Sequence, residues 1–132
     1  MKTIHLILPL VLASVAGLSQ AESLRGISVV NNGSYALDAD SIVQSNGKTA
    51  FTVLTNYTNK MKAPNGAEYI KASNTFLADC KAKTQALTGV ILMDGVGKTV
   101  YTYTPTPAEA PMITPERNSL DDRIMQMACR AK

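Results

Sequence analysis

Three tight-turn dipeptides divide the sequence into segments whose composition is typical of β-strands. Asn46-Gly47, Asn65-Gly66 and Asp94-Gly95 each separate stretches rich in Thr, Val, Tyr, Ile and Phe. Asn, Asp and Gly tolerate the positive φ angles that tight hairpin turns require. Because all neighbouring strands can be joined by short turns, this pattern predicts an antiparallel meander.

Two of the predicted strands alternate in a way that leaves one face drier than the other. From Lys48 to Tyr57 the larger apolar side chains fall on one face, and the stretch from Glu68 to Cys80 repeats the pattern. Further strands are predicted at 24–30, 34–37, 85–93 and 98–103, with a bend at 38–43 that re-enters the sheet. We therefore expect about six antiparallel strands within residues 24–103.

The composition changes after the last predicted strand. Four prolines in residues 104–118 remove backbone donors that a central strand would need, which predicts an extended connection. Ser119, with Asp122 three residues later, resembles a capping box, and a helix is predicted over 119–130. Its apolar stripe should lie on the sheet, so the predicted fold class is α+β and mostly β. The stripe consists of Leu120, Ile124, Met127 and Ala128.

The first 21 residues have the three parts of a secretory signal peptide. Lys2 supplies the early charge, an apolar run extends from Ile4 to Leu18, and Ser19-Gln20-Ala21 provides the small residues of a cleavage site. The run is too short and too rich in Ala and Ser to span a membrane. We predict a signal peptide at 1–21 and a single domain at 22–132. The chain should be exported to the periplasm or the outer surface, soluble after cleavage and without a stable membrane anchor.

The cysteine content predicts one covalent cross-link. Cys80 and Cys129 are the only cysteines, and an exported chain can form and keep a disulfide. The bridge closes a loop of about 50 residues and should stabilise the fold by about 4 kcal/mol on the chain-entropy model. On an ideal helical wheel, Cys129 projects away from the centre of the apolar stripe. The bridge then requires either a side approach of the helix or a frayed last turn, and the sequence leaves both open.

The residue types on which common enzymes depend are scarce. The only histidine, His5, lies in the predicted signal peptide, so no imidazole remains for a triad or a metal site. Residues 95–99 end like a phosphate loop, but Leu92 occupies the position of the first glycine and no helix signal follows. Asp38 and Asp40 have the proximity of a glycosidase pair, although their neighbours favour a turn. We predict no catalytic activity, no metal and no cofactor.

Charge and aromatic content narrow the class of partner. The formal net charge is +3, the lysines are scattered and Trp is absent, whereas nucleic-acid binding favours a strongly basic face with aromatic platforms. The five tyrosines are the side chains best suited to a recognition surface. Tyr101 and Tyr103 share a strand face, and we expect the helix or the proline-rich segment to shield them from solvent.

Four short segments carry a resemblance to a known family. They are Tyr35-Ala36-Leu37-Asp38, Phe51-Thr52-Val53-Leu54, Asp79-Cys80-Lys81 and Met125 to Cys129. In their order and spacing they resemble the surface-adhesin protein E family of Gram-negative bacteria, over essentially all of 22–132. The resemblance implies a six-stranded antiparallel sheet with a C-terminal helix tethered by the disulfide.

The same resemblance implies a function in protein binding. Members of the family bind host matrix and serum proteins such as vitronectin, laminin and plasminogen, and haem binding is implied by the best-known member. This chain lacks the family's lipidation cysteine, its strand tryptophans and the histidines that make haem ligation easy. The expected function is an exported protein-binding module; the alternative is a periplasmic inhibitor of a lysozyme-type enzyme. The oligomeric state stays open. Partner-binding residues are predicted at Lys60, Lys62, Tyr69 and Lys71.

Overall fold

The computed structural model describes residues 24–30, for the backbone only, and 32–131; the predicted signal peptide lies outside these residues. Within these residues, six strands form one antiparallel sheet in the order of the sequence, followed by one helix. The predicted fold class and the meander are confirmed. The elements are β1 (Leu24–Val30), β2 (Gly33–Ser45), β3 (Lys48–Lys62), β4 (Glu68–Asp79), β5 (Thr84–Met93), β6 (Thr99–Tyr103) and α1 (Leu120–Arg130).

The predicted bend in β2 is a break in its pairing with β3. The register shifts between Asp38 and Val43. The hydroxyl of Ser41 makes hydrogen bonds to the backbone in this break. Ser41 Oγ donates to the Asp38 carbonyl oxygen at 2.6 Å and accepts from the Thr52 backbone N–H at 2.8 Å. The Asp38 carboxylate accepts from the Asp40 backbone N–H at 3.1 Å. The Asp38 carboxylate therefore bonds the backbone of the bend in β2, in agreement with the turn interpretation of its neighbours.

The hairpin loops follow the predicted positions but not all the predicted turn residues. Asn46 and Gly47 both have positive φ, 54° and 77°, as a two-residue loop requires. In the other two loops the residues with positive φ are Gly66 at 85° and Gly97 at 88°. Residues 63–67 and 94–98 form three-residue loops, closed by the Ala63 and Asp94 backbone N–H groups at 2.8 and 2.9 Å. The expectation that Asp94-Gly95 supplies the left-handed residues was wrong, because a longer loop places that conformation at its third residue.

The main core lies between α1 and one face of the central strands. Phe51 on β3 is 1% exposed and stacks on Phe76 of β4, with ring centroids 5.5 Å apart. The helix contributes Met125, which the predicted stripe omitted, whereas the predicted Met127 is only partly buried. The buried members of this cluster are Leu37, Phe51, Val53, Ala78, Ile124, Met125 and Ala128.

The first turn of α1 is capped by its own side chains. Ser119 Oγ accepts from the Asp122 backbone N–H at 3.2 Å, as the capping signal predicts. The Asp122 carboxylate in turn accepts from the Asn118 backbone N–H at 2.9 Å and from Gln126 Nε2 at 3.1 Å. The hydrogen bond from Asn118, followed by that from Gln126, lowers the pKa of Asp122. The carboxylate thus stays ionised at the positive end of the helix dipole.

The last turn of α1 is attached to the sheet twice. Cys129 forms the predicted disulfide with Cys80, with the Cα atoms 5.7 Å apart. Gln44 Nε2 of β2 also donates to the Ala131 carbonyl oxygen at 2.9 Å. Because α1 remains helical as far as Arg130, the bridge is made by a side approach and not by a frayed turn. We call this end of the sheet, with the loops 46–47 and 80–83, the helix end.

The opposite end of the sheet folds over on itself, and we call it the loop end. From Asn56 to Met61, β3 advances five positions while its β4 partners advance only two, from Lys71 to Tyr69. This large bulge bends the β3–β4 hairpin, as bulges do. Ala63 in the hairpin loop is 6% exposed and packs in a second cluster with residues of β4 and β5. The buried members of that cluster are Ala63, Ala72 and Leu92.

The proline-rich segment runs beside β5 and reaches the end of β6 through Glu109. Ile113 and Gln85 exchange two backbone hydrogen bonds of 2.8 and 2.9 Å, so the segment runs beside β5. Tyr101 is half-buried, whereas Tyr103 is 38% exposed, and the expectation that both are shielded was wrong for Tyr103. A hydrogen bond to Glu109 is the main cause that raises the pKa of Tyr103. Glu109 belongs to the proline-rich segment, which therefore contacts Tyr103 but leaves it 38% exposed.

Gly33, at the start of β2, lies where the backbones of β2 and β3 approach each other closely. A Cβ at this position would lie 2.4 Å from the Asn56 carbonyl oxygen, which is backbone and cannot move aside. Gly33→Ala should therefore lower the free energy of unfolding by about 1–3 kcal/mol. In the control Gly89→Ala, the nearest atom would be Thr75 Cβ at 3.9 Å, and we expect a change under about 0.5 kcal/mol. Urea unfolding of both variants measures this, and equal losses would contradict the close approach.

Candidate binding surface

The loop end carries a groove that the meander itself builds. The end of β5 lies beside the start of β4, because Met93 pairs with Lys71 and the strands run antiparallel. The loop after β5 therefore faces the first residues of β4, and the bulged part of β3 closes the groove. Its volume is about 210 Å³. The lining residues are Lys60, Glu68, Tyr69, Ile70, Asp94 and Gly95.

The aromatic wall of this groove is held by a second tyrosine. The rings of Tyr69 and Tyr57 meet edge to face, with centroids 5.7 Å apart and planes at 80°. Burial raises the pKa of Tyr57, and the nearby hydroxyls of Tyr35 and Tyr69 raise it further. Tyr57 thus stays neutral at physiological pH and packs as an uncharged ring. An edge-to-face pair restrains both rings, so Tyr69 offers a fixed surface to a partner.

The structure brings together two of the four predicted partner-binding residues. Lys60 and Tyr69 both line the groove. Lys62 is exposed and lies directly across the β3–β4 ladder from Glu68, at the edge of the same surface. Lys71 is half-buried, lies across from Asn56 and does not line the groove. The predicted set is therefore split, and Lys71 stands apart from the other three.

Two carboxylates in the groove were missed by the sequence analysis. Glu68 and Asp94 line it together with Lys60, so the groove is of mixed charge and not a basic patch. Both are adjacent to predicted turns, and the predicted meander already implied that the end of β5 meets the start of β4. If the turn residues at the end of β5 and the start of β4 had been considered together, Asp94 and Glu68 would have been identified. The predicted set of Lys60, Lys62, Tyr69 and Lys71 contains neither acid.

The hydrogen bonds within the loop 94–98 are not those of a phosphate-binding loop. The Asp94 carboxylate accepts from the backbone N–H groups of Val96 at 3.0 Å and Lys98 at 2.9 Å. Gly97 N–H donates to the Asp94 carbonyl oxygen at 3.1 Å. The amides that a phosphate would need are thus bonded within the loop, and β6 follows in place of a helix. The loop instead presents Val96 at its tip, 90% exposed beside the groove.

The described residues hold neither a metal-ligand cluster nor a membrane-spanning helix. Within 24–30 and 32–131, no group of three or more His, Cys, Asp or Glu side chains is placed to hold a metal ion. Over the same part of the chain, no helix combines the length and the apolarity needed to cross a bilayer.

Comparison with known proteins identifies the family. The model of the family described as surface-adhesin protein E matches residues 25–130. The chain belongs to the surface-adhesin protein E family. The match covers all six strands almost completely and the whole helix, and the resemblance noted in the sequence is confirmed. The family supports a surface adhesin-like protein.

Two solved structures show the same fold as this member of the adhesin E family. Haemophilus influenzae protein E superposes with a TM-score of 0.60 at 14% identity, covering 83% of this chain and 86% of that one. Protein E from non-typeable Haemophilus influenzae gives a TM-score of 0.58 at 13% identity, covering 81% and 76%. A search of curated protein sequences found no significant match. At such low identity the structural matches establish the fold alone.

Proposed function

We propose that this adhesin E family member is an exported protein-binding module that holds its partner at the groove of the loop end. The observation that carries the proposal is the groove itself, with Lys60, Tyr69 and Asp94 on its walls in a member of a surface-adhesin family. Export depends on the signal peptide predicted at 1–21. The partner class implied by the family is a host matrix or serum protein.

The chemistry of the groove suits a protein surface more than a small molecule. Met61, 39% exposed, lies directly across the ladder from the restrained Tyr69, and Val96, 90% exposed, is at the tip of the loop that lines the groove. Tyrosine is among the side chains that carry much of the energy of protein interfaces. Lys60, Glu68 and Asp94 in the lining supply both signs of charge. Charges of both signs at the rim orient a partner and discriminate among partners more than they add affinity.

Charge reversal at the groove tests this proposal. Lys60→Glu combined with Lys62→Glu should weaken binding to vitronectin, laminin or plasminogen, whichever the wild-type protein binds, by about tenfold or more. The reason is that the groove loses two cations that attract the partner and gains two anions beside its two existing carboxylates. Surface plasmon resonance with the immobilised partner at two salt concentrations measures the loss and its screening.

The matched controls lie elsewhere on the chain. Lys81→Glu combined with Lys83→Glu makes the same change in charge at two exposed positions of the helix end, and binding should stay within about twofold. Lys71→Glu should also have a small effect, because Lys71 does not line the groove. Equal losses in the control pair and the groove pair would show a general charge effect and remove the groove from the proposal.

The inhibitor of a lysozyme-type enzyme stays a prediction. No feature of the described residues favours it over the binding module. A lysozyme assay with the purified protein in micromolar excess separates the two functions, because only the inhibitor lowers the rate.

A further inference from the structure

A second cavity lies on the concave face of the sheet, away from the groove. It has a volume of about 50 Å³ and is bounded by β2, β3, β4, β5 and the first turns of α1. Three aromatic rings line it, those of Tyr35, Phe51 and Phe76. The exposed side chain of Asp121, in the first turn of α1, also lines the cavity and marks its opening to solvent.

Three buried polar atoms without partners converge on this one cavity. They are Thr55 Oγ1, Asn74 Oδ1 and Gln85 Oε1, and each belongs to a residue that lines it. Among the described residues, these are the only buried side-chain N and O atoms that have no hydrogen-bond partner. Thr55 is 2% exposed and Gln85 is 7% exposed. Buried polar groups are nearly always hydrogen-bonded, so their concentration in one place indicates that something else bonds them.

The three residues lie at different levels along the sheet. On the sheet, Asn74 lies across from Val53, and Thr55 lies one row further towards the loop end. Gln85 lies across from Ala78, four positions from Asn74 along β4 towards the helix end. The backbone of Gln85 is also held by Ile113, which fixes where its side chain starts. A single metal ion cannot contact all three of these positions. The side chains of Asn74 and Gln85 can bond one group with several donors, and a water can bond Thr55.

The chemistry of the lining selects a planar cation. Two of the three atoms are amide carbonyl oxygens, which accept and never donate, and a hydroxyl also accepts. Asp121 adds a negative charge, and the stacked rings of Phe51 and Phe76 offer π-faces. A guanidinium group has five N–H donors in a flat fork and stacks on aromatic rings, whereas an ammonium group is compact and strongly hydrated. A water needs about 10–15 Å³, so the cavity has room for such a group in place of about three to five waters.

We propose that this cavity binds a guanidinium group on a flexible stem, either an arginine side chain of a protein partner or a small guanidino compound. The group donates to Asn74 and Gln85, a water bonds the hydroxyl of Thr55, and Asp121 balances the charge. This site is separate from the groove of the proposed function and does not depend on it.

Nuclear magnetic resonance of the purified protein tests the site. Agmatine and the blocked tripeptide acetyl-Gly-Arg-Gly-amide are titrated while the side-chain amide signals of Asn74 and Gln85 are followed. We expect saturable shifts of these signals with at least one probe. The matched probe acetyl-Gly-Lys-Gly-amide, with the same charge but no fork, should bind at least tenfold more weakly than the arginine peptide or agmatine.

Two variants test whether the probes bind to the residues that line the cavity. Gln85→Leu removes an unpartnered acceptor, and Asp121→Asn removes the exposed charge at a position where folding is not at risk; each should weaken binding at least tenfold. Asp40→Asn is the control for the lost charge, because Asp40 is exposed in the β2 bend and lies outside the cavity. It should leave binding unchanged.

The probes also decide the source of the group. Saturation by both probes assigns an arginine side chain, and saturation by agmatine alone assigns a free compound; both support the proposal. Linear shifts with every guanidinium probe would mean that the cavity holds only water, and this would overturn it. Equal affinity for the lysine peptide, or full binding by Asp121→Asn and Gln85→Leu, would overturn it as well.

Discussion

Replacing both Cys80 and Cys129 by serine should lower the free energy of unfolding by about 4 kcal/mol. The two cysteines are 49 positions apart in sequence, and opening a loop of that length releases about this much chain entropy in the unfolded state. Domains of this size have about 5–15 kcal/mol in total, so the loss is a large share of it. Urea unfolding followed by circular dichroism, for the wild-type protein and the double variant, measures the difference.

Two comparisons isolate the covalent bond from the other attachment of the helix. Wild-type protein under reducing conditions should behave like the double serine variant, because both lack only the bridge. Gln44→Ala removes the hydrogen bond to the Ala131 carbonyl oxygen and should cost about 1 kcal/mol. A loss below about 1 kcal/mol for the double serine variant would mean that packing alone holds α1 on the sheet.

Truncating the most buried aromatic ring, Phe51→Ala, should cost about 3–5 kcal/mol. Phe51 is 1% exposed, stacks on Phe76 and contacts the buried face of α1, so its removal leaves a cavity in the centre of the main cluster. The surrounding strands are hydrogen-bonded on both sides and cannot collapse into the space. The free energy of unfolding in urea is the measurement.

The control for this truncation lies on the same strand. Leu54 on the opposite face of β3 is half-buried, and Leu54→Ala should cost about 1 kcal/mol. The contrast between the two variants tests which face of β3 carries the core. Similar losses at both positions would show that the two faces contribute alike, contrary to the placement of α1.

Much of the fold was predictable because its strands are neighbours in sequence. A strand that pairs with the next one along the chain needs only a short turn, and turn residues such as Asn46-Gly47 are readable over a few positions. The helix was predictable for the same reason, since Ser119 and Asp122 form its cap within a single turn. The disulfide was predictable because two cysteines allow only one pairing within the chain.

The errors fall where more distant residues decide the outcome. Loop length, and not the dipeptide, moved the left-handed conformation to Gly97. The burial of Met125 in place of Met127 depends on the angle at which α1 meets the sheet, and the bridge at Cys129 helps to set that angle. Tyr103 is exposed because the proline-rich segment pairs with β5 at Gln85 and reaches Tyr103 only with the carboxylate of Glu109.

For the candidate site, the predictable part was smaller. Lys60 and Tyr69 were predicted as binding residues, but their meeting with Asp94 depends on the bulge in β3 and on the pairing of β4 with β5. The cavity with Thr55 and Gln85 was not predicted at all. Its polar residues come from strands that are distant in sequence, and no local pattern marks a hydroxyl or an amide as unpartnered.

The sequence by itself determined the strand order, the turns, the capped helix and the single cross-link, because each of these is specified by residues close in the chain or by a unique pair. Only the tertiary structure decided which side chains face each other across the groove and which polar atoms are enclosed without partners. Those features arise from the curvature of the sheet and from the path of the helix across it, and both are set by the packing of many residues at once.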